Sequence, residues 1–111
     1  MSKTTIDRAL YSQTKRNFMV LEQAIFTVPP ENTEAFTVAI IQACALFSSV
    51  PGYVRHEIHW GIEKPGTCLL LVWWETLEAH TVEFRQSPMF AVWRALVKPH
   101  YTVLPTVLHY A

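Results

Sequence analysis

Five histidines and two cysteines are the residues of this sequence best suited to metal or proton chemistry. They are His56, His59, His80, His100, His109, Cys44 and Cys68. We predict no metal site, because His56 and His59 stand three apart on an expected strand and so point to opposite faces. The other histidines have no ligand spacing. The cysteines form no CxxC motif and lie in apolar segments, which is typical of buried, reduced thiols.

His80 is the strongest single candidate for catalysis. It lies in the first turns of a helix that we expect directly after the most apolar stretch of the chain, residues 68–74. An imidazole gains or loses a proton near neutral pH, which suits a general base in a pocket. The alternative interpretation is a structural histidine whose hydrogen bonds tie the helix to a sheet.

The apolar stretch at residues 68–74 (CLLLVWW) is the element that must position the rest. A strand covered on one face alternates apolar and polar residues, and this stretch does not alternate. Seven residues are few for a helix, and Glu75-Thr76 follows as a helix start. We therefore predict a central strand that is covered on both faces.

The remaining elements follow from periodicity, prolines and caps. The predicted strands cover residues 19–28, 53–62, 67–75 and 102–110, and the predicted helices cover residues 33–48, 77–85 and 88–97. Pro105 cannot donate a ladder hydrogen bond, so the last strand should lie at a sheet edge. The order βαββαβ predicts an α+β, ferredoxin-like antiparallel sheet with its helices on one face.

The predicted sheet has two faces with different roles. Trp74 should point towards the helices, whereas Leu69, Leu71 and Trp73 should occupy the other face. The simplest cover for that second face is the same face of another copy, so we predict a homodimer. Strict alternation along the second strand separates its residues into two sets. The sets are Val54, His56, Ile58 and Trp60 on one face, and Tyr53, Arg55, Glu57 and His59 on the other.

Composition excludes several classes of function. Half of the residues are apolar, and nine basic residues balance nine acidic ones, so neither nucleic acid nor an anionic membrane is an expected partner. No apolar run reaches the ~20 residues of a membrane span. With no apolar run behind the N-terminus, the expected compartment is the cytoplasm. We expect a flexible N-terminal arm at residues 1–17 and one domain at residues 18–111.

Residues 51–96 resemble the antibiotic biosynthesis monooxygenase (ABM) family of dimeric α/β barrels. The motifs that carry the resemblance are Pro51-Gly52-Tyr53, Trp74-Glu75, Leu77-Glu78-Ala79-His80, Phe84-Arg85, Ser87-Pro88 and Phe90. His80 stands where a histidine recurs in the family's pattern. The resemblance implies a face-to-face dimer with a pocket between the sheet and the helices of each protomer.

The resemblance also implies a function. Characterised oxygenases of the family oxidise polycyclic aromatic phenols with O2, without metal or flavin, because the substrate itself supplies the electrons. We therefore expect a cofactor-independent monooxygenase that acts on a small aromatic or quinol-like compound, with His80 as base or donor. Trp74 should line the pocket from the central strand, Trp93 and Phe84 should close it from the helices, and the second strand should contribute Tyr53, His56 or Trp60, with its pocket-facing side left open by the pattern. Two alternatives remain, a non-catalytic dimeric binding protein for an apolar molecule and a cyclase or decarboxylase on the same fold.

Overall fold

The structure is a computed structural model that describes residues 19–111, so the predicted arm at residues 1–17 lies outside the described part. Four strands and two α-helices, with a π-helical segment before the second, form the domain. They are β1 (Val20–Thr27), α1 (Thr33–Cys44), β2 (Tyr53–Trp60), β3 (Thr67–Trp74), the π-helical segment (Ala79–Phe84), α2 (Pro88–Val97) and β4 (Thr106–Tyr110). Short 3₁₀ turns, Pro30–Asn32, Ala45–Ser49 and Lys98–His100, extend the helical regions. Among the described helices, none has the length and apolarity that crossing a membrane requires.

The four strands form one antiparallel sheet in the order β2-β3-β1-β4. This is the strand order of a ferredoxin-like fold, and the prediction of that fold is confirmed. The apolar strand β3 is central, and β4 lies at an edge, as Pro105 required. However, β4 begins only at Thr106, so the predicted strand at residues 102–110 was too long. Proline has no N–H for the ladder, and pairing starts at the residue that follows it.

Burial along β3 alternates strictly and defines the two faces of the sheet. Cys68, Leu70, Val72 and Trp74 are fully buried under the helices, on what we call the helix face. The residues between them, Thr67, Leu69, Leu71 and Trp73, are half-buried on the opposite or open face. The predicted orientation of Trp74 towards the helices is therefore confirmed.

The second strand departs from strict alternation. Tyr53 pairs with Trp74, whereas Arg55, two residues further along β2, pairs with Trp73, which is only one residue away from Trp74 on β3. A β-bulge therefore lies between Tyr53 and Arg55. A bulge adds one residue to a strand, so the side chains before it lie on the opposite face of the sheet from the one that strict alternation predicts. Tyr53 consequently shares the helix face with His56, and its hydroxyl lies 2.7 Å from His56 Nδ1. The prediction that Tyr53 faces the same side as Arg55 was wrong for this reason.

The π-helical segment is held close to the sheet by two local features. The Thr76 hydroxyl accepts a hydrogen bond from the Ala79 N–H at 3.1 Å and caps the segment, as predicted. Gly52 has a φ of +88°, and a Cβ there would come within 2.6 Å of Ala79 Cβ. Only glycine permits this approach without strain. The wide turn is closed by the Arg85 N–H, which donates to the His80 carbonyl at 3.2 Å. The His80 ring of this segment stacks on Trp74 of the sheet.

Candidate functional site

A cluster of three ionisable side chains lies on the helix face at one end of the sheet. Glu22 of β1 pairs in register with His109 of β4, so both side chains point towards the helices. His80 comes down from the π-helical segment between them. Glu22 and His80 are 6% and 3% exposed, whereas His109 is half-buried at the sheet edge. We call these three residues the acid–histidine cluster.

The side chains of this cluster form a chain of contacts. The Trp74 indole N–H donates a hydrogen bond to Glu22 Oε1 at 3.0 Å. His80 Nε2 lies 3.4 Å from the same oxygen, and His80 Nδ1 lies 2.7 Å from His109 Nε2. The ring of His80 also stacks on Trp74, with centroids 5.4 Å apart and planes 15° apart. The Glu22 carboxyl is thus connected through the His80 ring to His109 at the sheet edge.

Burial changes the ionisation of the carboxyl. It raises the pKa of Glu22 from 4.5 to about 7, against the smaller opposing effects of the Trp74 hydrogen bond and the Arg85 charge. Near neutral pH, the protonated and ionised forms of Glu22 are therefore both populated. A carboxyl in this state can take up or release a proton at the pH of the cell, as a general base must.

Both imidazoles of the cluster are held neutral. Burial lowers the pKa of His80 to about 3, helped by the positive charge of Arg85 and by the repulsion that two protonated rings, His80 and His109, would exert on each other. Burial and Arg85 lower the pKa of His109 as well. The close approach of His80 to Glu22 is therefore a contact between a neutral ring and a carboxyl rather than an ion pair. His80 alone is a weak base, and the stronger proton acceptor beside it is Glu22.

The geometry of the cluster does not suit a metal ion. Each ring nitrogen of His80 faces a different partner, so the three side chains do not converge on one point. Within residues 19–111, no group of three or more histidine, cysteine or acidic side chains is arranged to hold a metal. Cys44 and Cys68 are free and buried, and burial raises the pKa of both thiols to about 12.

The residues predicted to line a pocket lie between the helix face of the sheet and the helices, and most of their rings pack against one another. Phe47 is the centre of this aromatic group, and sequence reasoning did not single it out. Its ring lies within 6.2 Å of the rings of Tyr53, His56, Trp74, Phe84 and Trp93. Trp60 lies apart from them and packs on Phe36 with centroids 6.0 Å apart. The assignment of these residues to a substrate pocket remains a prediction.

A cavity of about 380 Å³ opens beside the acid–histidine cluster, where β1 begins and β4 ends. We call it the end cavity. Its lining residues are Val20, Thr76, Leu77, Glu78, His109, Tyr110 and Ala111. A larger cavity of about 650 Å³ runs along α2, lined by Phe90, Ala91, Arg94, Ala95, Lys98 and Pro99. It contains no member of the cluster, so the chemistry of the site favours the end cavity.

Sequence reasoning identified His80 but missed its two partners. A signal for Glu22 was present, since Val20, Glu22, Ala24 and Phe26 alternate along β1 and all four are buried. A lone carboxyl on the buried side of a strand requires a special partner or an altered pKa. His109 gave no comparable signal, because only the register between β1 and β4 brings it to the cluster.

The fold and the site together define a ferredoxin-like α+β protein with an acid–histidine cluster under its helices. The sequence profile of the family described as antibiotic biosynthesis monooxygenase matches residues 19–96. The chain belongs to this family.

Two relatives are similar to this chain over most of its length. The uncharacterized protein YczJ of Bacillus subtilis (strain 168) is 39% identical over 92 residues, which cover 83% of this chain and 97% of YczJ. A proposed antibiotic biosynthesis monooxygenase from Bordetella bronchiseptica has a crystal structure that superposes with a TM-score of 0.81. It shares 36% identity, with 85% of this chain and 96% of that chain covered.

A third relative has a described chemistry. SnoaB of Streptomyces nogalater is a cofactor-independent oxygenase, and its structure superposes with a TM-score of 0.70. The identity is 20%, and the match covers 85% of this chain and 92% of SnoaB. At this identity, the likeness shows a shared fold.

Proposed function

We propose that this protein is a cofactor-independent oxygenase, which uses O2 to oxidise a small aromatic phenol or quinol-like compound. The observation that carries the proposal is the buried Glu22 carboxyl, whose pKa of about 7 makes it a proton acceptor at neutral pH. Membership of the ABM family supports it, and so does the described chemistry of SnoaB on the same fold. The acid–histidine cluster is the proposed catalytic centre, with His80 beside Glu22.

The proposed reaction needs a base and an apolar site. Ionised Glu22 takes a proton from the substrate, and the resulting electron-rich anion gives one electron to O2. The substrate radical and superoxide then join in a new C–O bond, and the peroxide anion takes the proton back from Glu22. Where the carbon carries a second hydrogen, loss of water leaves a carbonyl. One oxygen atom stays in the product, and the other leaves as water.

The neighbouring groups serve this sequence in different ways. The Trp74 indole N–H stabilises the ionised form of Glu22 by donating to Oε1. The aromatic group around Phe47 keeps water from one side of the cluster, which protects the radical pair from side reactions. His80 supplies a neutral ring 3.4 Å from Glu22 Oε1 and so adds no second buried charge.

We also propose a homodimer in which two open faces pack against each other. Leu69, Leu71 and Trp73 form an apolar row in the middle of that face, next to Leu21 and Ile25 of β1. A second copy of the chain covers this row with an identical row. The cytoplasm is the proposed compartment, which the free state of both cysteines favours.

The function is tested by oxygen uptake with 1,8-dihydroxyanthrone in metal-free buffer that contains a chelator. We expect uptake that requires the folded protein, persists with chelator and yields the anthraquinone, since the substrate supplies the electrons. Heat-denatured protein is the control for spontaneous oxidation. Binding of the anthrone without oxygen consumption would contradict the proposal and indicate a binding protein. A product without added oxygen would indicate a cyclase or decarboxylase.

A further inference from the structure

We propose that the substrate binds in the end cavity and that its acidic proton reaches Glu22 through His109 and His80. The substrate class is a flat phenol or its enolisable keto tautomer. The inference rests on the proposed function in taking Glu22 as the final proton acceptor. It adds a binding site and assigns a role to His109.

The burial of the cluster makes a relay necessary. Glu22 and His80 are almost completely enclosed, and neither lines the end cavity. His109 is the member of the cluster that does line it. A ligand in this cavity therefore contacts His109 and reaches the carboxyl only through the two imidazole rings.

The contacts between the three side chains set the direction of transfer. With Glu22 ionised, the favourable tautomers place a proton on Nε2 of His80 and another on Nε2 of His109. His109 Nδ1 is then free to accept the substrate proton. His109 passes its Nε2 proton across the 2.7 Å contact to His80 Nδ1, and His80 passes its own Nε2 proton across 3.4 Å to Glu22 Oε1. Both rings end neutral with exchanged tautomers, and the substrate ends as the anion.

Electrostatics favours this end state over a charged imidazole. Arg85 faces the cluster and lowers the pKa of Glu22, His80 and His109, while burial adds to the lowering for both rings. A proton resting on either imidazole is therefore unstable. The carboxyl is the group of the relay that holds an added proton at neutral pH. Glu78, at the exposed rim of the end cavity, is the acidic group on the ligand side.

The end cavity suits the proposed substrate class. Its volume of about 380 Å³ falls in the range of about 300–1,000 Å³ that is typical of small-molecule pockets. Val20 and Leu77 provide apolar wall, and Thr76 and Glu78 provide polar atoms. A planar aromatic ring with one or two hydroxyl groups matches this combination.

The relay is tested by hydrogen–deuterium exchange at the acidic methylene of 1,8-dihydroxyanthrone, in D2O without oxygen. Exchange reports proton transfer alone, so it is independent of oxygenation. We expect the wild type to catalyse exchange and His109→Ala to slow it about 100-fold, in the range of a lost general base. Added imidazole should restore exchange in His109→Ala, because it can enter the space left by the ring. His100→Phe, which changes a histidine outside the cluster, should exchange at the wild-type rate.

The binding site is tested by anaerobic equilibrium dialysis of the same anthrone. Leu77→Trp fills the end cavity and should weaken binding at least about tenfold, whereas Leu104→Trp, at an exposed site that does not line it, should have no effect. Unchanged binding by Leu77→Trp would overturn the assigned site. Exchange that is absent in the wild type, or equally fast in His109→Ala, would overturn the relay. Exchange without oxygen uptake would leave the relay in place and contradict the proposed oxygenase.

Discussion

Glu22→Gln is expected to lower oxygen uptake with the anthrone about 10²–10⁴-fold at neutral pH, the usual effect of removing a general base. The amide keeps the size of the side chain, and its oxygen can still accept the Trp74 N–H, but it cannot take up a proton. Glu57→Gln is the matched control, since Glu57 lies on the open face and bonds Arg55 and His59 there. Wild-type turnover by Glu22→Gln would contradict the role of the carboxyl.

The same substitution should change how stability depends on pH. The pKa of Glu22 is raised from 4.5 to about 7 in the folded protein. Below pH 4.5 it is protonated in both states, so it causes no penalty. As the pH rises from 4.5 to 7, the unfolded chain releases the proton and the folded protein retains it, which reduces the stability of the folded state.

Glutamine carries no such penalty. The free energy of unfolding of Glu22→Gln, relative to the wild type, should therefore increase between pH ~4 and pH ~8 by about 3 kcal/mol. Urea denaturation at the two pH values measures this difference. A difference that stays constant with pH would show that the Glu22 pKa is not raised by folding.

Trp73→Asp is expected to dissociate the proposed dimer into monomers or to cause aggregation. Trp73 belongs to the apolar row that it forms with Leu69 and Leu71 on the open face. The Arg55 guanidinium carbon lies over its ring, 3.7 Å from the ring centroid. Aspartate removes this apolar surface and places a carboxylate between the two sheets, where its desolvation costs several kcal/mol even with Arg55 beside it. Light scattering should give twice 12.8 kDa for the wild type and a lower or polydisperse mass for the variant.

Val38→Asp serves as the control for this experiment. Val38 is 56% exposed on α1, away from the open face, and a charge there remains solvated. The control should remain dimeric. A wild-type protein that is monomeric at micromolar concentration would contradict the proposed dimer, and a Trp73→Asp protein that stays dimeric would place the interface elsewhere.

The sheet could be predicted from the sequence because its main constraints are local. Seven apolar residues in β3 require cover on both faces, and Pro105 limits β4 to an edge; each feature acts through neighbouring atoms of the same segment. The bulge at Tyr53 could not be predicted, because the apolar and polar residues from Tyr53 to His59 fit a regular strand as well as a strand with a bulge after Tyr53.

The candidate site depends on constraints that are not local. His109 lies 29 residues from His80, and only the pairing of β4 with β1 brings them within 2.7 Å. The preference for His80 as the base came from the ordinary pKa of imidazole. Burial lowers that pKa to about 3 and raises that of Glu22 to about 7, so the two groups exchange the roles that their unperturbed values suggest. Burial is a property of the assembled fold.

Infrared titration of Glu22 tests most directly whether the buried carboxyl is the proton acceptor. The carbonyl stretch of a protonated carboxyl is resolved from that of a carboxylate, and the difference between wild type and Glu22→Gln assigns the band. We expect the protonated band of Glu22 to be present at pH ~5 and to disappear as the pH rises through about 7. Oxygen uptake should rise over the same interval, since the base must be ionised. A Glu22 that is already a carboxylate at pH ~5 would contradict its role as the neutral-pH proton acceptor.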